Sequence, residues 1–420
     1  MDPVVRRLDP EEASQFRRSV MVPFLEPFAG DPEQVADFEM AAATSELDRA
    51  WVVDDGDHFV GNGAIFSLNV TVPAVPGQPC PTLPMAGISA VGVHPTHRRR
   101  GLLRQLMATM HDDARQRGEA VAGLEASESV IYGRFGYGLA ADLAEYSIDS
   151  RASAFAVEAP VVDLTLLDKD EALPVLPALF DRQRLGRAGE VNRASAYWTQ
   201  LLADRPHHRG ELSARFHAVC DEGYVLYRAS RQTNVFLGDR VTIVVEELRG
   251  CGPEIEAALW RFVLDLDLVG RVTFKRCPVD EPIRWRLADP RQLRTDNIED
   301  RLYLRILDTA AAFEARGYRA EGDLVFDVVP PAVPEGGIDA APGRWALQTG
   351  PEGATCRRAR PGEETDIRLD VSALGSLYMG GFPASLLAAG GRVEELRTGG
   401  LARADTLFMT RPSPRSGTGF

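Results

Sequence analysis

A short basic segment, His94-Pro-Thr-His-Arg-Arg-Arg-Gly101, carries the residues best suited to bind a ligand. It follows an apolar run at 86–93 that predicts a buried strand. It precedes apolar residues at three- and four-residue spacing over 102–114, which predict one face of an amphipathic helix. The first turn of a helix has free backbone N–H groups and partial positive charge. Together with three arginines, this turn predicts an anion site that suits a pyrophosphate.

Gly101 favours the same prediction, because a residue without a Cβ lets the backbone come close to a bound phosphate. The alternative interpretation is a solvated basic helix start on an acidic protein. Other chemical motifs are missing, since the sequence contains no GxSxG, HExxH or Walker-type pattern. His94 and His97 lack the spacing of metal ligands, and His207-His208 follow Pro206 in a polar loop where a solvated role is expected, so no metal site is expected.

Composition and charge narrow the class of protein. The 420 residues are 45% hydrophobic and 26% charged, as in ordinary globular proteins, and the length predicts about three domains. The net charge of -14 disfavours nucleic acid and anionic membranes as partners and favours small cationic molecules. No segment approaches the ~20 apolar residues of a membrane span, and the N-terminus lacks an apolar signal segment, so a cytoplasmic location is expected. Five scattered cysteines without a CxxC pair indicate neither a zinc site nor a disulfide framework.

Three blocks of secondary structure are predicted to position the basic segment. The first block is α+β, with a helix at 32–47, strands at 50–53, 58–66 and 69–72, a proline-rich loop at 72–84, and a strand at 120–124 after the amphipathic helix. The second block has helices at 171–187 and 195–203, strands at 214–220, 223–228 and 240–248, a helix at 254–266 and a strand at 271–276. Its order of elements echoes the first block and indicates an internal duplication.

The third block, from about residue 300, alternates strands with a glycine-rich helical end. Its predicted strands lie at 302–307, 323–328, 344–348, 354–358 and 366–371. Residues 411–420 differ from all three blocks, because prolines, serines and glycines lead to a terminal phenylalanine, Phe420.

Two segments resemble known acetyltransferases. The basic turn Arg98-Arg99-Arg100-Gly101-Leu102 is similar to the acetyl-CoA signature of GNAT acyltransferases, R/Q-x-x-G-x-G/A after a strand, and departs from it at Leu103. The segment Glu125-Ala-Ser-Glu-Ser-Val-Ile-Tyr-Gly-Arg-Phe-Gly-Tyr-Gly138 looks like the corresponding part of the Eis (enhanced intracellular survival) acetyltransferases. The layout in three blocks and the terminal phenylalanine also fit that family, so the resemblance covers the whole length.

The Eis resemblance implies an α+β fold of tandem GNAT-like domains, with mixed, splayed central sheets flanked by helices, followed by a C-terminal sterol-carrier-protein-like α/β domain. The implied domains are a catalytic GNAT domain at 1–148, a second GNAT-like domain at 149–299, the sterol-carrier-like domain at 300–410 and a tail at 411–420 that returns to the active site. The second domain has Arg249-Gly-Cys-Gly-Pro253 where the first has its arginine cluster, so it should not bind coenzyme A.

In GNAT proteins the strand before the signature binds the pantetheine arm of acetyl-CoA, and the turn holds the diphosphate. The resemblance implies cofactor-binding roles for Val91, Gly92, Val93, Arg98, Arg99, Arg100, Gly101, Leu102, Leu103, Arg104, Ser127 and Glu128. Tyr132 matches the family's general acid, although a tyrosine of the core with one hydrogen bond is the alternative. The family's base is the carboxylate of its terminal phenylalanine, here Phe420. The composition of the tail by itself favours fraying, and the resemblance reverses that expectation.

The chemistry that the resemblance implies is acetyl-CoA-dependent N-acetylation of polycationic amines, namely aminoglycosides and lysine side chains. An alkyl ammonium titrates near ~10.4 and the leaving thiol near ~8.5, so this reaction needs both a base and a proton donor. We expect direct attack in a ternary complex, and a homohexamer as in other family members. Three aromatic residues with one acid could wall the substrate pocket, although packing alone would also explain them: Phe24, Phe28, Phe38 and Glu26.

A different class of function stays open at this stage. The chain could be a non-catalytic binding protein, in which the third domain holds an apolar ligand and coenzyme A only regulates. A large apolar cavity in the third domain would favour that function.

Overall fold

A computed structural model describes residues 3–26, 30–230, 240–330, 341–351 and 353–420. It contains two units, which we describe separately. The first comprises Met1–Ala141, Arg301–Pro414 and Thr418–Phe420, and the second comprises Asp142–Asp300 and Arg415–Gly417. The domain limits at 148, 299 and 410 stay predictions.

The strands are β1 (Val4–Arg7), β2 (Ala50–Asp54), β3 (Phe59–Thr71), β4 (Thr82–Val93), β5 (Val121–Leu124), β6 (Gly138–Asp149), β7 (Thr165–Leu167), β8 (Phe216–Cys220), β9 (Gly223–Ala229), β10 (Val241–Gly250), β11 (Val269–Cys277), β12 (Arg294–Ile306), β13 (Gly322–Val329), β14 (Gly343–Gly350), β15 (Gly353–Arg358), β16 (Ile367–Asp370) and β17 (Val393–Glu395). The helices are α1 (Ala13–Met21), α2 (Pro32–Thr44), α3 (Leu102–Gln116), α4 (Ser129–Tyr132), α5 (Lys169–Ala172), α6 (Leu176–Arg184), α7 (Ser195–Ala203), α8 (Pro253–Leu264), α9 (Ile283–Arg286), α10 (Thr309–Ala315), α11 (Val371–Tyr378), α12 (Ala384–Ala389) and α13 (Gly400–Phe408). Within the described ranges, no helix is both long enough and apolar enough to cross a bilayer.

The first unit contains a sheet in the order β1-β2-β3-β4-β5-β12, in which only the β4–β5 pair is parallel. The apolar face of α3 packs on this sheet, because Leu106 and Met110 are fully buried against Trp51, Ile65 and Ile88. The three- and four-residue periodicity of 102–114 therefore marks the face of α3 that enters the core.

A second sheet in this unit has the order β15-β14-β13-β16-β17. Aromatic rings from α10, α11, α13 and β13 pack against one another beside this sheet. Phe313 lies 5.3 Å from Phe326, 5.5 Å from Tyr378 and 5.6 Å from Phe408 between ring centroids.

The sheet of the second unit has the order β6-β11-β10-β9-β8-β7, and here only the β10–β11 pair is parallel. In both units a helix precedes the second strand of the parallel pair: α3 before β5 and α8 before β11. In both units the register also shifts within the first strand of that pair, at β4 and at β10. The predicted duplication is thus present in strand order, strand direction and bulge position.

Prolines and an uninterrupted ladder explain three differences between the predicted and observed elements. The predicted helix at 171–187 is wrong as one unit, because Pro174 lies between α5 and α6 and Pro177 stands in the first turn of α6. The proline-rich loop at 72–84 is shorter than predicted, since β4 already begins at Thr82 and contains Pro84. The strands predicted at 58–66 and 69–72 form one strand, β3, because Ser67 and Leu68 continue its ladder with β4. Strands β1, β6, β7 and β17 were not predicted.

A buried group of ion pairs holds part of the C-terminal tail in the second unit. Glu190 lies 2.8 Å from Arg249 and 3.5 Å from Arg415, and no side chain of the three is more than 5% exposed. Burial alone would raise the pKa of the Glu190 carboxyl, but the charges of Arg249 and Arg415 outweigh it and hold that pKa below its usual range. The stabilisation from Glu190 is therefore present above the ordinary carboxyl pKa and is lost as the pH falls through the lowered value.

Glu190→Gln should lower the free energy of unfolding of this unit by about 3–5 kcal/mol, because buried Arg415 loses the carboxylate beside it and buried Arg249 keeps only Glu247. Urea denaturation followed by circular dichroism measures this change. Glu363→Gln is the matched control, since Glu363 pairs with Arg357 at 2.7 Å on the surface and its loss should not shift the midpoint. Equal midpoints for the two variants would contradict the assignment of a structural role to the buried group.

Candidate active site

The strands β4 and β5 diverge at the centre of the first unit. Their parallel pairing covers Met85–Val121, Ala86–Ala122 and Gly87–Gly123, whereas β4 continues to Val93. A bulge lies in the continuing part, where Ala90 has a φ of 52° and its carbonyl accepts a hydrogen bond from the Asn62 side chain. A bulge bends its strand, so β4 turns away from β5 and opens a gap between them. We call this divergence after Gly87 the splay.

The N-terminus of α3 faces this gap through the basic turn. Gly101, the residue before the helix, has a φ of 79°, and Arg99 has a φ of 65°. Among the described residues no side chain caps the first turn, so its N–H groups are available to a ligand. In the part of the chain that the structure describes, no carboxylate forms an ion pair with Arg98, Arg99, Arg100 or Arg104. The predicted anion site thus has free donors and unneutralised positive charge.

A groove of 520 Å³ connects the basic turn with the segment after β5. Of the twelve predicted cofactor-binding residues, Arg100 alone is not part of its wall, and the others line it: Val91, Gly92, Val93, Arg98, Arg99, Gly101, Leu102, Leu103, Arg104, Ser127 and Glu128. Its volume lies within the ~300–1,000 Å³ of small-molecule sites. The structure therefore brings the two conspicuous sequence segments to one cavity.

Tyr132 lies on the wall of the same groove, at the end of α4. Its ring meets that of Tyr137 edge-on at 6.1 Å, and the Tyr137 hydroxyl is bonded to His111 Nε2 at 2.7 Å. The buried Arg305 donates to the carbonyl of Phe135 and so supports the turn that follows Tyr132. The Tyr137 ring therefore supports the ring of Tyr132, and Arg305 supports the backbone that follows it.

The electrostatic surroundings of Tyr132 favour its neutral form. Burial, and then the negative charge of Glu128, raise the pKa of the Tyr132 phenol above its ordinary value. The phenol therefore keeps its proton at neutral pH and can donate it to an anion that forms in the groove.

The C-terminal tail is packed rather than frayed. Ser413, Pro414, Arg415, Ser416, Gly417 and Thr418 are all buried. Phe420 reaches the base of the splay, because a methyl group on Gly87 would lie only 3.0 Å from Cδ2 of its ring and 2.6 Å from Leu68. Gly87 is the last β4 residue paired with β5, so the chain ends where the two strands part.

Of the four predicted substrate residues, the structure describes the side chains of Phe24 and Glu26 only. Phe24 lines the groove and is 44% exposed, whereas Glu26 is exposed on the surface and is not part of the lining. Phe28 lies outside the described residues. Phe38 falls within α2, and its side chain is likewise outside the described part.

Sequence reasoning missed several residues of the groove wall: Pro23, His97, Ile131, Arg134 and Phe135. The sequence offers no ligand-binding role for His97, yet Thr96 Oγ1 lies 2.7 Å from His94 Nδ1 and 2.8 Å from His97 Nδ1 and so links the two rings. Arg134 adds a cation to the wall formed by the segment after β5. Arg134 lies two residues after Tyr132 in the segment 125–138 that resembles Eis proteins, and this position could have predicted its place in the groove.

The chain matches known protein families over most of its length. Residues 4–140 and 189–306 match models of the acetyltransferase (GNAT) domain, and residues 309–415 match a sterol carrier protein domain. The N-acetyltransferase Eis of Mycobacterium tuberculosis is 37% identical over 372 residues, covering 86% of this chain and 87% of the relative. The chain belongs to the Eis family of GNAT N-acetyltransferases. An uncharacterized N-acetyltransferase of Streptomyces avermitilis is 35% identical over 401 residues, 94% of both chains.

Solved structures of related proteins agree with this membership in the Eis family. Eis1 from Mycobacterium abscessus has a TM-score of 0.86 at 30% identity and covers 99% of this chain and 100% of its own. A GCN5-related N-acetyltransferase from Anabaena variabilis shares the fold, with a TM-score of 0.80 at 19% identity over the whole of both chains. The expected fold class is confirmed: tandem GNAT domains precede a sterol-carrier-like domain, and the chain is an N-acetyltransferase.

Proposed function

We propose that this member of the Eis family transfers the acetyl group of acetyl-CoA to amines of polycationic substrates, aminoglycosides above all and lysine side chains as a second class. The observation that carries the proposal is the groove: the basic turn, the N-terminus of α3 and Tyr132 line one cavity of 520 Å³. The terminal residue Phe420 lies at the base of the splay.

The residues of the groove fit coenzyme A by their chemistry. Backbone groups of Val91 and Val93 lie on the part of β4 that has left β5 and can pair with the pantetheine arm. The N–H groups from Arg99 to Arg104 and the adjacent guanidinium groups suit the diphosphate. Acetyl-CoA supplies a thioester whose carbonyl carbon accepts an amine and whose thiolate leaves.

Two groups of the chain handle the protons of this reaction. The neutral phenol of Tyr132 donates its proton to the leaving thiolate, which would otherwise be expelled as a poorly stabilised anion. The carboxylate of Phe420 takes a proton from the substrate ammonium, directly or through one water, so that the neutral amine attacks the thioester carbonyl. The nitrogen loses its second proton to solvent as the C–S bond breaks, and solvent restores the proton that Tyr132 gives to the thiolate. In the part of the chain that the structure describes, none of the residues lining the groove is a cysteine, which favours direct attack over an acetyl-cysteine intermediate.

The charge of the protein supports a cationic substrate. The net charge of -14 attracts polycations over long range, and Glu128 places a carboxylate in the groove wall. Assembly as a homohexamer and a cytoplasmic location remain predictions from the family and the sequence.

Release of free thiol from acetyl-CoA on addition of kanamycin, neomycin or a lysine-containing peptide tests the proposal. Initial rates with both substrates varied should give intersecting lines, as expected for a ternary complex, whereas parallel lines would indicate a covalent intermediate. Coenzyme A binding without turnover across a broad panel of amines would favour the non-catalytic alternative.

Gly101→Ala should weaken acetyl-CoA binding by about tenfold or more, equivalent to at least ~1.4 kcal/mol. The added methyl group strains a backbone with a φ of 79° and stands between the turn and the diphosphate. Gly118→Ala is a close control, since Gly118 follows the other end of α3 with a φ of 76° and has open space around it. Titration calorimetry with coenzyme A measures both variants. Equal losses of affinity would mean that strain in α3, and not contact at the groove, causes the effect.

A further inference from the structure

An ion pair lies beside the end of the tail and takes no part in the chemistry proposed above. Glu125 directly follows β5, and Arg301 belongs to β12. Their charged groups are 2.9 Å apart, and their side chains are 23% and 15% exposed. The antiparallel pairing of Leu124 with Tyr303 brings the two residues to the same end of the β5–β12 ladder. The pair is therefore held by the sheet and not by flexible loops.

The tail passes directly over this pair. A methyl group on Gly419 would lie 3.3 Å from an Arg301 Nη and 3.7 Å from both carboxylate oxygens of Glu125. Gly419 thus rests on the ion pair with little room for a side chain. The next residue, Phe420, puts its ring over Gly87, where a methyl group would lie 3.0 Å from it. Both contacts are made with residues at the edges of the splay, Gly87 on β4 and Glu125 after β5.

We propose that Glu125 and Arg301 are positioning residues that hold the last two residues of the chain, so that the terminal carboxylate stays at the splay. The inference rests on the proposed function, in which that carboxylate is the base. The ion pair supports the Gly419 backbone, and Gly87 leaves space for the Phe420 ring. A partly buried charged pair resists displacement better than a surface pair, because solvent screens it less. A base held in place in this way avoids the loss of rate that follows from small misplacement.

Digestion by carboxypeptidase A tests the positioning without measuring catalysis. The protease releases a terminal phenylalanine only when the tail has left its site. The rate of release therefore measures the fraction of molecules whose tail is undocked. Arg301→Met, Glu125→Gln and Gly419→Ala should each release Phe420 faster by about tenfold, as measured by mass spectrometry under conditions where opening is rapid. Gly350→Ala is the control, since a methyl group there meets open space. Release at the parent rate in all three variants would overturn the proposal.

Steady-state kinetics then distinguish a loss of tail positioning from a general loss of folding or cofactor binding. In Arg301→Met, kcat should fall by about 100-fold, while the KM for acetyl-CoA stays near the parent value because the basic turn is untouched. Arg301→Lys keeps the charge and should recover most of the rate. Thermal melting checks folding, and Gly419→Ala leaves the sheet itself unchanged.

The two proposals can fail independently in these experiments. Faster release of Phe420 with an unchanged kcat would leave the positioning role standing and would remove the tail carboxylate as the base. Slow release together with a low kcat in Arg301→Met would instead overturn the positioning role, since the rate would then depend on Arg301 by another route.

Discussion

Replacing Tyr132 by phenylalanine is expected to lower kcat by about 10²–10⁴-fold, the range that a positioned proton donor contributes. The substitution removes one oxygen atom and keeps the ring that meets Tyr137 at 6.1 Å, so the groove should keep its shape. The KM for acetyl-CoA should change little, because in the proposed function the turn at Arg98–Gly101 holds the diphosphate and the phenol takes no part in cofactor binding. Steady-state kinetics with acetyl-CoA and an aminoglycoside measure both quantities.

Tyr318→Phe is the matched control for this prediction. Tyr318 is also buried, and its hydroxyl donates to the carbonyl of Phe313 at 2.8 Å, far along the chain from the groove residues. Its loss should cost about 1 kcal/mol of stability and leave kcat unchanged. An unchanged kcat in Tyr132→Phe would remove Tyr132 as the acid. Because the pKa of Tyr132 is raised, the parent enzyme should also keep its activity through the pH at which an ordinary tyrosine ionises.

Deleting Phe420 is expected to have an effect of similar size, with kcat lower by about 10²–10⁴-fold, because the terminal carboxylate then ends short of the splay. Extending the chain beyond Phe420 with a tag should do the same, since it replaces the carboxylate by a neutral amide. A tag of the same sequence at the N-terminus serves as the control. Phe420→Leu keeps the carboxylate and an apolar side chain, so it should retain most of the rate.

Full activity with a C-terminal tag would show that the tail carboxylate does no chemistry. Loss of activity with either tag would point to a general effect of the tag and not to the tail. The thiol-release assay distinguishes these outcomes when acetyl-CoA binding is measured alongside it, because only catalysis, and not affinity for the cofactor, should depend on Phe420.

Much of the groove could be predicted from the sequence because its signals are local. The basic turn 98–101 and the apolar periodicity of 102–114 lie next to each other in the chain, and a helix start is decided by neighbouring residues. The resemblance to Eis proteins then extended the prediction to Tyr132 and Phe420. Local patterns were less informative for long strands, since β3 was predicted as two pieces and Pro84 was placed in a loop although it lies in β4.

Only the tertiary structure decided which distant segments meet. Residues 303–306 of β12 pair with β5, and this pairing places Arg301 beside Glu125 although neither residue stands out in the sequence as a charged partner of the other. The fit of Phe420 over Gly87 is equally invisible in the sequence, where no pattern links the two residues. Strand register and tail docking depend on contacts between residues far apart in the chain, which no local periodicity records. The sequence by itself determined the basic turn and its helix, whereas the pairing of β12 with β5 and the docking of Phe420 beside Gly87 were decided by long-range packing.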